Sequence, residues 1–427
     1  MPSKTPRAHL LHDLEDTALL LLPLLDDRTS RACLEDIIQA HHQISSNRYL
    51  DRFPDTLNNN PRPSFYHSDI LLFAERGIRH KQAFRMSPSH LNDIVDFFKD
   101  DLVFFSRGNK PQAPPKYQIG LLVYRMAHGH DCRTLDREFG VSTGTVFKWC
   151  ERSLIAILRK QSNFISWPSP TERLEIKARF LSEYSIPHCV GLIDGYHVNL
   201  TTAPARDDAG AYHSRKERYG FNVMAIVDHT KQFRYIHYGY PASSSDQRVQ
   251  RAIEPLNTPS QYFSNQEYLL ADSGFTASSL VVPMFKKSAG QAVLRGKTAY
   301  FNSRASVMRV GVEHSIGVLK ARWTILRSMS MRLRTKKDEA MAHAIIVACT
   351  ILHNILINTD EYYTEEFTGN LPIEPLRDEQ PVEEEVAEDN FLGAGRLRPH
   401  MRRRHDLVEQ MLALETEEID IDNFILS

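Results

Sequence analysis

Three acidic residues sit where a charge is expensive to keep. Asp194 ends the apolar run Val190, Gly191, Leu192, Ile193, and Asp272 ends Tyr268, Leu269, Leu270, Ala271. Each acid is followed by a small residue, Gly195 in one case and Ser273 then Gly274 in the other. A strand interior penalises an unpaired charge, so a carboxylate at the end of an apolar strand asks for a partner. The third acid, Glu313, lies in GVEHSIGVLKARWTIL, where Val312, Ile316, Leu319, Trp323 and Leu326 recur at spacings of 4, 3, 4 and 3. That spacing predicts a helix with one stripe facing a core, and Glu313 stands at the margin of the stripe. Two strand ends and a helix can bring the three carboxylates together. Hard dications such as Mg²⁺ prefer carboxylate oxygens. Two such ions about 4 Å apart can activate a water and stabilise the leaving oxygen of a phosphodiester. Without cations the acids would repel one another, so the constellation implies cation binding. Taken singly, any acid reads as a solvated surface residue or a helix cap, and Asp207 and Asp228 are read that way.

Charge segregation gives independent support. Over residues 285–337 there are thirteen Lys and Arg and a single acid, Glu313. Bases around an acidic pocket suit a polyanion backbone delivered to a metal site. The whole chain carries 52 basic and 53 acidic residues, a net charge of −1, so the compensating acids must lie elsewhere. Residues 360–390 hold many of them and read as a disordered linker.

The elements that must position these acids follow from composition shifts. The chain is 42% hydrophobic and 25% charged, which excludes a wholly disordered, collagen-like or coiled-coil protein. Its 427 residues suggest about three structural units. Breaker-rich stretches near 58–64, 108–115 and 166–170 support four spans. These are an N-terminal helical region (1–85), a second helical region (86–165), an α/β domain (166–358), and an acidic linker with a C-terminal tail (359–427). Within the α/β domain, residues 221–228 and 233–240 read as a hairpin turning at 229–231. Residues 243–249 open a helix with Asp246 in its first turn. A last short helix is expected at 406–414. The five cysteines are scattered in no CxxC pair, which disfavours a disulfide scaffold or zinc site and suits a reducing compartment. No membrane span is expected. The apolar run at 18–25 is too short, contains Pro23 and lacks the flanks of a signal peptide, so it reads as a packing helix.

A second motif lies upstream. Leu135 and Phe139 share a helix face; Gly140, Val141 and Ser142 make a turn that Ser142 or Thr143 can cap. In the next helix Val146, Cys150 and Leu154 form a buried stripe, and Thr145, Lys148 and Arg152 face away from it. This is the pattern of a DNA-binding helix-turn-helix, and equally of an ordinary helical hairpin.

Six motifs in order then resemble the PIF/Harbinger transposases and the nucleases derived from them, in the DDE superfamily. They are VGLIDGYHV, YHSRKERYGFNVMAIVD, GYPASSSDQRV, LLADSGF, FNSRASVMRVGVEHSIGVLKARW and ACTILHNIL, covering about residues 117–358. The resemblance implies an RNase H-like mixed sheet flanked by helices, behind a helical region with a helix-turn-helix. It implies metal-dependent cleavage of double-stranded DNA, with Asp194, Asp272 and Glu313 as catalytic and metal-binding acids and Asp246 as a further metal-site acid. Mg²⁺ or Mn²⁺ is the expected cofactor, two ions acting together. DNA contacts are expected from Thr145, Lys148, Arg152, Arg215, Lys216, Lys320 and Arg322. The resemblance also implies action at transposon ends, with strand transfer in an intact transposase. A nuclear location is implied as well, with the basic cluster at 398–404 as an import signal, a Myb-like DNA-binding partner protein, and room for a homo-oligomer. A domesticated host nuclease and a non-catalytic DNA-binding regulator are the alternatives. Tyr196, His314 and Ser245 depart from the family wording, and none of them removes a carboxylate.

The helix-turn-helix reading makes a direct prediction. Changing Lys148 and Arg152 together to Ala should weaken DNA binding. It should also flatten the salt dependence by about one log–log unit for each phosphate no longer neutralised. Filter binding across a salt series checks this, and an unchanged slope would sink the reading.

Overall fold

The computed structural model describes residues 6–21, 35–39, 41, 78–106, 112–286, 296–357, 359 and 399–416. The chain divides into two compact units, Met1–Arg62 and Pro63–Ser427. In the first, helix α1 spans Pro6–Leu21. His41 meets Glu15 at 3.1 Å. The expected acidic linker, the breaker loop at 58–64 and Cys33 lie outside the described residues.

The second unit opens with helices whose caps are written in the sequence. Helix α2 spans Ile78–Phe84. Helix α3, Pro88–Phe98, starts with the Ser87 hydroxyl accepting from the His90 N–H and buries Leu91, Ile94, Val95 and Phe98. Helix α4, Pro115–His128, stops at Gly129, whose φ of +69° is the left-handed turn that glycine adopts without strain. Helix α5, Cys132–Glu138, and helix α6, Thr143–Arg159, are joined by a four-residue turn and capped by Asp131 and Ser142. The Thr143 hydroxyl donates to Asp136, tying the two together. Helix α7, Pro170–Tyr184, begins with a full capping box between Ser169 and Glu172.

A five-stranded mixed sheet follows, in spatial order β3-β2-β1-β4-β5. Strands β1 (Cys189–Asn199), β2 (Gly220–Val227) and β3 (Phe233–Pro241) run antiparallel. Strands β4 (Tyr268–Ala271) and β5 (Val281–Pro283) extend the other edge parallel to β1. Every residue of β2 is buried, as a strand covered on both faces must be. One face, with Leu192, Tyr196 and Val198, packs into the main core. The other, with Val190, Ile193, Met224 and Leu269, packs against Val249 of the short helix α8, Asp246–Gln250. The hairpin turn corrects one expectation. Asp228 is buried rather than solvated, accepting from the Thr230 and Gln232 N–H groups and pairing with Arg234 at 2.6 Å. Asp207 is exposed as expected.

Helix α9 runs for 27 residues, Gly296–Arg322, and ends before the predicted stripe does. Trp323 and Leu326 continue the stripe through a short 3-10 turn and are fully buried. Helix α10, Lys336–Leu356, is apolar and long enough to cross a membrane by length and composition alone. Most of it is buried in the core, which accounts for the same composition. Helices α4 and α6 pack into the same core as α9 and α10, so the expected boundary at 165/166 marks a change of element type rather than a gap in packing. Cys132, Cys150, Cys189 and Cys349 are buried free thiols.

The last helix corrects a second expectation. Helix α11 spans Pro399–Thr416 and takes in the basic cluster that reads as a tail or an import signal. Leu407, Val408 and Met411 are buried. Arg404 lies 3.8 Å from the Phe285 ring centroid, and Arg403 lies over Tyr268 and donates to the Gln266 carbonyl. Arg402 alone of these three is exposed. The helix packs on α9 and on β5, so the open edge of the sheet is covered.

Burial sets a pH dependence. His353 on α10 is 1% exposed, and burial, reinforced by Arg322, pushes its pKa down to about 3. The unfolded chain takes up this proton near pH 6.5, whereas the folded chain does not. The contribution is therefore intact above about pH 6.5 and lost as pH falls toward 3, by roughly 1.4 kcal/mol per pH unit. His353→Gln should make the urea midpoint fall less steeply between pH 7 and 5. An identical slope in the variant would contradict this.

Candidate active site: an acidic cluster around Arg309

The sheet register positions the first two acids. Ile193 of β1 pairs in parallel with Ala271 of β4. The next residues, Asp194 and Asp272, therefore stand side by side: Asp272 lies just past the end of β4, whereas Asp194 lies within β1, which runs on to Asn199 against β2 and so does not end at the acid as expected. Both aim at the face on which α9 lies. That helix approaches closely: a Cβ placed on Gly311 would lie 3.4 Å from a Leu192 methyl. Glu313 and Arg309, one helical turn apart, reach over Asp194 and Asp272.

Arg309 is the hub. Its Nη2 donates to Asp194 Oδ2 at 3.1 Å. The same guanidinium lies 3.5 Å from Asp272 Oδ1 and 3.4 Å from Glu313 Oε1. Its side chain is 10% exposed, whereas the carboxylates open outward, from 20% at Asp194 through 46% at Asp272 to 57% at Glu313. The cluster is thus a pocket with Asp194 at its floor and two acids at its mouth. Burial raises the Asp194 pKa to about 6. Arg309 and the Gly195 N–H, which donates to it at 2.8 Å, pull the other way, and Glu313 and Asp272 add to the rise. Burial wins, so one guanidinium does not fully compensate the site. Oxygen donors from three carboxylates suit a hard dication in chemistry. Among the described residues no three His, Cys, Asp or Glu side chains lie close enough to share one ion. The cation these acids surround here is the guanidinium.

Asp246 does not join them. It stands on the opposite face of β1: a Cβ on Gly195, whose neighbour Asp194 points the other way, would lie 2.6 Å from Asp246 Oδ1. Gly195 therefore makes room for Asp246. Asn222 donates to that oxygen at 3.0 Å and to the Ser244 carbonyl, while Ser245 caps α8. The expectation of a shared metal shell fails because adjacent strand residues face opposite sides.

The basic candidates also separate. Arg322 is 1% exposed in the core, so it cannot contact DNA from this fold. Lys320 lies 5.2 Å over the Tyr196 ring, and burial, then Arg327 and Lys216, push its pKa down to about 8. Tyr196, the residue that departs from the family wording, is the buried platform beneath it. His314 points into the core, where burial lowers its pKa to about 4. Arg215, Lys216 and Lys148 are exposed and Arg152 is half-buried. The Thr145 hydroxyl bonds Ser142 Oγ at 2.8 Å, so it serves the helix cap. Phe147, 54% exposed beside Lys148, adds an apolar surface to that helix. Arg309 itself is missed by the sequence reading. The available signal was its i, i+4 spacing to Glu313, hidden among the other bases of the 285–337 stretch.

A five-stranded mixed sheet thus brings together acids from two neighbouring strands, one within β1 and one just past β4, and a third from a crossing helix. The DDE superfamily endonuclease family matches residues 193–354, a span that holds all three acids. Residues 193–354 are thus similar to a DDE superfamily endonuclease domain. The chain is 23% identical over 313 residues to the Arabidopsis thaliana protein named antagonist of like heterochromatin protein 1, covering 67% of this chain and 74% of that one. To Protein ALP1-like of the same plant it is 23% identical, covering 66% and 71%. To HARBI1 of Xenopus laevis, named as a candidate nuclease, it is 24% identical, covering 58% and 70%. No solved structure matches.

The placement of Asp246 yields a prediction. Asp246→Asn should lower stability by about 1 kcal/mol through the weakened contact with Asn222 and the helix start. Any DNA cleavage should stay within a few-fold of wild type across a Mg²⁺ titration. A steep loss recovered by Mn²⁺ would restore Asp246 to the metal shell.

Proposed function

We propose that this protein is a metal-dependent DNA endonuclease of the DDE transposase type, built on an RNase H-like sheet and hydrolysing phosphodiester bonds in double-stranded DNA. The observation that carries the reading is the gathering of Asp194, Asp272 and Glu313 around the Arg309 guanidinium, inside the span that matches the family. Those three residues would hold Mg²⁺ or Mn²⁺. Two bound ions supply an activated water and charge stabilisation at the leaving oxygen. The chain's own part is placement. Asp194 is fixed by the Gly195 N–H and by burial, and Asp272 and Glu313 line the mouth through which a phosphate would enter. Arg215 and Lys216, on the loop between β1 and β2, and Lys320 beside the pocket would take the DNA backbone. Lys148 and Arg152 on α6 would hold DNA further out, as a helix-turn-helix does.

The wider reading follows the resemblance. The substrate is transposon-end DNA, with strand transfer by the freed 3′-hydroxyl in a mobile element. The protein works in the nucleus, with a Myb-like DNA-binding partner and as a homo-oligomer. With Arg403 and Arg404 docked on the sheet, nuclear entry through the partner is preferred over the basic cluster. A host role is the second reading, as a domesticated nuclease or a non-catalytic regulator. The name of one Arabidopsis relative, an antagonist of a heterochromatin protein, favours it.

The deciding experiment compares near-isosteric variants. Asp194→Asn, Asp272→Asn and Glu313→Gln should each reduce cleavage of terminal-repeat DNA more than about a hundredfold, with DNA binding retained. EDTA should abolish cleavage by the wild type. Wild-type protein that binds DNA yet cleaves none with Mg²⁺ or Mn²⁺ would favour the regulator instead.

A further inference from the structure

The acids of the pocket do not face one another; they face Arg309. Its guanidinium contacts all three carboxylates between 3.1 and 3.5 Å, from a side chain that is nine-tenths buried. Only the contact with Asp194 is a hydrogen bond, and the buried Nε finds no hydrogen-bond partner among the described residues. A planar guanidinium clamped on a carboxylate usually uses paired N–H donors. Here it is spread over three acids as a point of positive charge, held by electrostatics rather than by a saturated network. Three carboxylates and one guanidinium leave a formal charge of −2. The same arithmetic without the guanidinium gives −3.

We propose that Arg309 is a built-in counter-ion of the acid pocket, holding the carboxylates together in the metal-free protein and giving up that place when a divalent cation binds. The inference rests on the metal reading of the site given above. Two positive groups cannot share the centre of one acid cluster at contact distance without strong repulsion. Arg309 lies on α9 one turn before Glu313, so rotation of its long side chain can move the charge outward while the backbone stays put. Arg309 then sets the cation affinity of the pocket by competition. It also keeps three acids from repelling one another when no ion is bound. It is a positioning residue, acting through the carboxylates.

The test uses the full-length chain and Mn²⁺ as the probe, with affinity read by isothermal titration and by the spectrum of free Mn²⁺, and with thermal unfolding followed in EDTA and in Mn²⁺. Arg309→Met keeps the length of the side chain and removes its charge. It should bind Mn²⁺ at least about tenfold more tightly than wild type, since a competing charge is gone. It should also unfold at a lower temperature in EDTA and gain more from added Mn²⁺. Arg309→Lys keeps a charge without the fork and should tighten binding by a smaller factor; if the Met variant does not fold, this one decides. Asp194→Asn, in either background, should abolish the binding and so locate the ion. Wild-type Mn²⁺ binding that depends on Asp194 but is unchanged or weakened in the Arg309 variants overturns this inference and leaves the metal reading standing. No Mn²⁺ binding by any variant, or binding indifferent to Asp194→Asn, overturns both.

Discussion

The structure is organised by a single electrostatic constraint: three carboxylates held within reach of one another need positive charge between them. Every element around the site serves that requirement. The parallel pairing of β1 and β4 sets Asp194 beside Asp272. The close approach of α9, permitted by Gly311 against Leu192, lowers Glu313 and Arg309 over them. Arg309 supplies the charge in the protein as it stands. A core that packs α6, α9 and α10 on one face of the sheet makes this arrangement rigid enough to hold unlike strands and a helix in register.

The same constraint explains the distribution of burial. Asp194 is the most enclosed of the acids, and its ionisation is displaced because its desolvation exceeds what one guanidinium returns. Asp272 and Glu313 face water and keep the mouth acidic. Lys216 lies near enough to the half-buried Lys320 to lower its pKa, and Arg215 beside Lys216 is exposed. Under the nuclease reading, a polyanion would approach this acidic centre only if cations intervened. The geometry and the segregation of charge along the chain therefore argue in the same direction, from independent observations.

On the opposite face, the sheet does a different job. Gly195 admits Asp246, and Asn222 and Ser245 hold it as part of the start of α8. Covering of the far edge by α11, with Arg404 on Phe285 and Arg403 on Tyr268, turns an apparent basic tail into a packing element. Basic residues in one stretch of sequence thus divide among three fates. Arg309 neutralises the pocket, Arg322 is sealed in the core, and Lys320 rests on Tyr196 near the site.

Local chemistry determined much of this. The cap at Ser142, the stripe from Val312 to Leu326, and the apolar runs leading into Asp194 and Asp272 are all legible in sequence. Capping, helical periodicity and apolar runs act over a few residues, so their signals are local. Which acids meet was only half legible: Asp194, Asp272 and Glu313 could be named, yet their convergence depends on β1 pairing with β4 across more than seventy intervening residues. The side of the sheet on which Asp246 falls, the burial of Arg322, and the place of Arg309, one of the thirteen bases of that stretch, were decided by the tertiary structure alone. Those outcomes turn on strand alternation and on the orientation of α9 against the sheet, and a residue's type does not reveal which way its side chain will point once long-range packing has fixed the frame.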